Sequence, residues 1–165
     1  RIPEAIADYT KAISLQPLFE KSYVNRGACW YATGDTVKAL VDFNQAIKLN
    51  PNYAGAYYNR GYLFLKNRNF KAAQVDFEQT VKIDNYFHDA HFQLAMIKIG
   101  NRETEEAISH LNQAIKLKPE YAPSYYFRAE CYYKIKKNDL ACEDWKKSEK
   151  LGFKQAVEKI NRHCQ

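Results

Sequence analysis

The sequence predicts an all-α solenoid, a stack of helix pairs, and three observations carry that reading. Residues recur at a spacing of 34: Ala5, Ala39, Ala73, Ala107 and Ala141 form one unbroken column, and Tyr9, Phe43, Phe77, Leu111 and Trp145 form a bulky second. Pro17, Pro51 and Pro119 lie on a grid of the same spacing, with Asn85 and Phe153 at its remaining points. Gly and Pro together make up only 11 of the 165 residues, too few for a turn-rich β sandwich or barrel.

Each element follows from these columns. Residues 1–19 carry Ala5, Tyr9 and Ala12 and read as a lone second helix of a pair. Helices are then expected near 20–33, 36–49, 54–67, 70–83, 88–100, 104–117, 122–135 and 138–150. Short polar turns separate the members of each pair, as in Thr33-Gly34-Asp35-Thr36 and Asn67-Arg68-Asn69. The small column Gly27, Gly61, Ala95 and Ala129 lets the paired helix approach closely, and the aromatic of the second helix fills the gap between pairs. Proline ends the second helix by withholding an N–H donor. No pair can bury its apolar stripe alone, so stability comes from stacking. The chain then ends in an amphipathic segment. There Phe153, Ala156, Val157 and Ile160 share one face, and Lys154, Glu158, Lys159 and Arg162 the other.

This small–aromatic–small–Pro set at 34 residues resembles the tetratricopeptide repeat (TPR) family along the whole chain. The resemblance implies a right-handed superhelix of antiparallel helix pairs in a single array. A partial unit at 1–19 precedes full units at 20–53, 54–87, 88–121 and 122–153, and a capping helix at 154–165 follows. It also implies a protein or peptide ligand, bound on the concave face that the first helices line.

Composition narrows the function classes. Apolar residues are 46% and charged residues 27%, a globular balance. No stretch is long and apolar enough to span a bilayer. The net charge is +6, and residues 134–165 hold nine Lys/Arg against five acids, so the excess gathers near the C-terminal segment. A nucleic-acid platform would need basic residues in the groove, so that class is disfavoured. Phosphate-binding, zinc-protease and serine-hydrolase motifs are absent, which argues against an enzyme, and no cofactor is expected. His88 and His91 stand three apart on one helix with no third ligand in view, so no metal is expected.

The four cysteines divide into two kinds. Cys29 and Cys131 share a repeat column three units apart and are too distant to pair within one chain. Cys142 and Cys164 face one another in a hairpin that turns at Gly152-Phe153, since their midpoint is 153. Two readings stand: a disulfide that staples the cap to the last unit, or two buried thiols in a reducing cytosol. The segment from Ala141 to Cys164 also resembles the last repeat and cap of bacterial TPR proteins, many of them exported. That inclines the compartment towards the periplasm or exterior.

Carried onto this chain, the family pattern places Val24, Tyr58, Phe92 and Tyr126 at the fifth position of each unit, in the groove. Tyr62 and Met96 fall at the ninth position, and Tyr31 and Tyr133 at the twelfth. Asn25, Asn59 and Gln93 fall at the sixth, where Phe127 interrupts the series. Repeated amides offer donor and acceptor together and would hold a peptide backbone without reading its sequence. The alternative is that Asn is merely tolerated within the recurring Asn-Arg-Gly. The complete units lack the Lys and Asn of the chaperone C-terminal carboxylate clamp. Two rivals to peptide binding remain: a spacer or oligomerisation segment that self-associates through its open N-terminal end, and, more weakly, a nucleic-acid binder.

Overall fold

The computed structural model describes residues 1–164. Among them it contains ten α-helices: α1 (Ile2–Leu15), α2 (Glu20–Ala32), α3 (Thr36–Leu49), α4 (Ala54–Lys66), α5 (Phe70–Ile83), α6 (His88–Gly100), α7 (Thr104–Leu117), α8 (Ala122–Lys134), α9 (Asn138–Lys150) and α10 (Gln155–His163). The sequence places the paired helices α2–α9 to within one residue of these bounds. The helices form two compact units, one over residues 1–85 and one from Tyr86 onward. In the first, α2 pairs with α3 and α4 with α5; in the second, α6 pairs with α7 and α8 with α9. The architecture is an all-α solenoid.

From α3 onward the 34-residue columns are the core, while Ala5 and Tyr9 on α1 are half-buried. Ala39, Ala73, Ala107 and Ala141 are wholly buried, and so are Phe43, Phe77, Leu111 and Trp145 to within 1%. A Cβ added at Gly27 would lie 2.7 Å from Cε1 of Phe43, and one at Gly61 3.0 Å from Cβ of Asp76. Glycine at these two points is therefore what lets the paired helix close on the aromatic.

The ends of α1, α3, α5 and α7 share one geometry. Gln16, Asn50 and Lys118 each take φ between −140° and −135° and precede Pro17, Pro51 and Pro119, as the steric demand of proline on its neighbour requires. Asp84 adopts the same conformation, φ −133°, ahead of Asn85. The exit is thus set by packing as well as by proline. Within each pair the turn passes through a left-handed residue: Gly34, then Arg68, Arg102 and Lys136 at φ 59–66°. Only the first of these is the residue type that adopts this conformation freely.

A polar ladder runs beside the apolar columns. Arg26, Arg60 and Arg128 each make two bonds of 2.7–2.8 Å to Asp42, Asp76 and Asp144 on the paired helix. Each guanidinium also donates to the preceding second helix, at Thr10, Asn44 or Asn112. Such forked pairs satisfy buried carboxylates that would otherwise be costly. In the α6–α7 pair the same places hold Leu94, fully buried, and His110, whose Nδ1 lies 3.3 Å from Nδ1 of His91. Nearby, Lys98 replaces the aromatic of the other units and is held by Glu103 and Glu106, which raise its pKa.

Helix α10 closes the second unit. Ala156 is fully buried, and Ile160, Tyr126 and Tyr132 each pack against the buried cluster of Ala129, Ala141, Trp145 and Ala156. Val157, expected on the inward face, is 38% exposed; the nine-residue helix presents a narrower apolar stripe than a full 100° arc would.

Candidate functional site

In the first unit, three tyrosines expected on the first-helix face come together. Tyr31, on α2, packs in a T-shaped arrangement with Tyr62, on α4, at 6.2 Å between ring centroids. Tyr62 stacks on Tyr58 one turn earlier, at 6.3 Å, and Tyr58 in turn leans on the buried Phe77 at 5.7 Å. Lys66 lies 5.1 Å over the Tyr62 ring. All three tyrosines are half-buried, so each offers part of its ring to solvent from a position fixed by its neighbours. Val24, also expected in the groove, is instead buried at 4% exposure among Ala39, Phe43 and Ala56, because its short branched side chain reaches the α2–α3 core.

The amides differ from one another. Asn25 is exposed. Asn59 is half-buried, and its Nδ2 donates to the carbonyl of Gly55 one turn back on its own helix, at 2.7 Å. That leaves its carbonyl oxygen and one N–H for other use. Gln93 is half-buried in the second unit.

There, the expected ring positions form two groups. Phe92 and Tyr121 pack T-shaped at 5.2 Å, and Phe92 lies 5.9 Å from Phe127, whose neighbour Tyr126 packs on Phe153 at 5.0 Å. Burial, with Glu130 adding to it, holds the Tyr126 phenol above its ordinary pKa. Separately, Tyr133 is 41% exposed and rests on Trp145 at 5.6 Å and His163 at 4.5 Å. Met96 is half-buried on α6.

Tyr133 borders a cavity of about 490 Å³ that Ile99, Cys131 and Thr104 also line, with Glu130, Lys134 and Lys159 among its polar groups. Burial pushes the Cys131 thiol up to about 11, so it remains protonated and inert at neutral pH. Glu130 was not legible as a special residue, since its repeat column otherwise holds Ala28, Tyr62 and Met96. It accepts from the Trp145 indole N–H at 3.1 Å and from Lys159 at 2.8 Å, tying α8 to α9 and α10. Cys142 and Cys164 are joined by a disulfide with Cα atoms 5.5 Å apart. The two histidines of α6 diverge: His88 meets Asp89 and packs T-shaped with Tyr121, and His91 meets His110.

No helix among the described residues is long and apolar enough to cross a membrane. A family profile described as "TPR repeat" matches residues 30–67, and one described as "Tetratricopeptide repeat" matches 54–87 and 88–121, together more than half of the chain. A search of curated protein sequences returns no match. Among solved structures, that of MamA superposes with a TM-score of 0.79 at 21% identity, over 94% of this chain and 91% of that one. A structure of Pseudomonas aeruginosa PilF gives 0.83 at 12% identity, over 92% and 69%. YrrB, described as a TPR protein with an unusual peptide-binding site, gives 0.52 at 18%, over 93% and 97%. At these identities the likeness concerns the fold.

Proposed function

The chain belongs to the tetratricopeptide-repeat family, a protein-interaction scaffold, and from that premise we propose that it binds a peptide segment on its first-helix faces without catalysing a reaction on it. The observation that carries this is the Tyr31–Tyr62–Tyr58 cluster. Half-buried tyrosines braced by a core ring are rigid, so they lose little side-chain freedom when a ligand covers them, which is what suits such rings to anchor partners. Asn59 lies on the same helix, three residues before Tyr62, and its remaining donor and acceptor suit a peptide backbone. The disulfide between Cys142 and Cys164 favours an oxidising compartment over the cytosol.

The test is selection from a displayed random-peptide library, followed by titration of the selected peptide against wild type and an Asn59→Ala/Tyr62→Ala variant of verified fold. Binding lost in the variant supports the reading. Equal binding by both would place the site elsewhere.

A second reading has its own observation. Leu15 and Leu18, at and beyond the end of α1, are 73% and 78% exposed, and Phe19 beside them is 43% exposed. These apolar groups fit self-association through that end. Light scattering across a hundredfold concentration range distinguishes the two, since a constant monomer mass removes the second.

A further inference from the structure

We propose that the Cys142–Cys164 disulfide is a redox latch on α10, and that its reduction releases the helix and alters the Tyr133 end of the second unit's first-helix face. The second half rests on the peptide-binding reading above; the first does not. Helix α10 is nine residues long, below the length at which an isolated helix persists in water. Of its residues only Ala156 is fully buried. Its other ties include Ile160 in the core, the Lys159–Glu130 ion pair, the His163 carbonyl against the Cys142 sulfur, and the His163 ring against Tyr133 and Trp145. The disulfide lies just past the helix end and closes a loop of sequence separation 22, so it restricts the open states of the whole segment.

The bond is within reach of a reductant. Both half-cystines are only half-buried, and they line a depression of about 390 Å³ together with Asn138, Asp139, Glu143, Lys146 and His163. An external dithiol supplies the two electrons. Its thiolate attacks one sulfur, the S–S bond breaks, and the other cysteine leaves as thiolate. The second thiol of the reductant then resolves the mixed disulfide. The products are a cyclic or protein disulfide of the reductant and two thiols, at Cys142 and Cys164, which take up the reductant's two protons. What the latch controls is defined by what α10 contributes. Lys159 lines the cavity beside Tyr133, and His163 covers both Tyr133 and the fully buried Trp145.

The experiment is amide hydrogen exchange on the intact protein, oxidised and after dithiothreitol. A denaturing thiol count of two against four verifies the states, since Cys29 and Cys131 are free. A Cys142→Ser/Cys164→Ser variant reports the open state without reductant. On reduction, protection across 156–163 falls by about 100-fold, while α8 and α9 keep theirs. Emission from Trp145 moves to longer wavelength in a Trp30→Phe background. Equal protection in both states overturns the latch. So does loss of protection throughout α8 and α9, because the effect would then be global. A library-selected peptide is titrated in both states. A binding change below twofold, with α10 open, overturns the link to the face. If no peptide binds the oxidised protein, the peptide-binding reading and that link fall together, while the exchange data still decide the latch.

Discussion

Replacing Asp76 by alanine tests how the ladder of arginines and aspartates holds the first unit. Asp76 is 3% exposed and receives both arms of Arg60, whose side chain is 22% exposed. Alanine keeps the Cβ that lies against Gly61, so the helix contact survives and only the carboxylate is lost. A guanidinium then remains, mostly buried, with Asn44 as its surviving side-chain acceptor. Removing one partner of a fully buried pair costs ~3–5 kcal/mol. The residual exposure of Arg60 puts this case at the low end, about 3 kcal/mol. In a chain of this size that lowers the melting temperature by roughly 6–12 °C. Arg60→Leu strands the more buried carboxylate and should cost at least as much. The α6–α7 pair already carries a leucine, Leu94, at the arginine's place. Accordingly Arg60→Leu/Asp76→Ala should be milder than the sum of the singles by about 2 kcal/mol, because neither charge is left alone. Urea unfolding followed by helical circular dichroism and by Trp30, which lies in the same unit, measures all four corners of the cycle. If Asp76→Ala falls within about 0.5 kcal/mol of wild type, or the cycle is additive, the ladder is decoration and the reasoning fails.

Three other perturbations follow from the fold. Arg68→Gly relieves a left-handed non-glycine residue and should stabilise by about 0.5–1 kcal/mol in the same unfolding assay; a loss would refute the strain. Gly27→Ala forces a Cβ to 2.7 Å from the Phe43 ring and should destabilise by ~1–3 kcal/mol, with no change excluding the close approach. The Lys98 cluster predicts a pH window. Hydrogen bonds to Glu103 and Glu106 raise the lysine, and the bond from Lys98 lowers Glu103. A raised lysine stabilises below its unfolded pKa and loses that contribution as pH climbs through the folded value. A lowered glutamate stabilises above its unfolded pKa and loses it as pH falls. The cluster therefore contributes from about pH 5 to about pH 10 and fades on both sides. Lys98→Met should flatten the stability profile relative to wild type, and parallel profiles would exclude the linkage.

The sequence made the scaffold legible because a 34-residue repeat leaves its buried positions in phase. Ala73 and Phe77 could be placed from their columns alone, and both are fully buried. The ladder was equally periodic, with Arg26, Arg60 and Arg128 on one grid and Asp42, Asp76 and Asp144 on another. Periodicity does not reveal its burial, because a charged column is ordinarily a solvated face and only the close helix pair turns this one inward. The left-handed turns within the pairs had a single overt marker, Gly34; Arg68, Arg102 and Lys136 adopt the same conformation with residue types that do not advertise it. On the candidate face, spacing set which rings lie near one another, but side-chain rotamers decide what each does. Hence Val24 turns to the core and Asn59 bonds back to Gly55.

The most direct measurement is isothermal titration of a library-selected peptide into wild type and Tyr62→Ala, with the unfolding free energy of each measured in parallel. A first-helix binding face predicts that Tyr62→Ala weakens binding by about 30-fold or more, the loss expected of an anchoring aromatic, while the unit remains folded at the titration temperature. Affinity unchanged in a folded Tyr62→Ala protein would contradict the account.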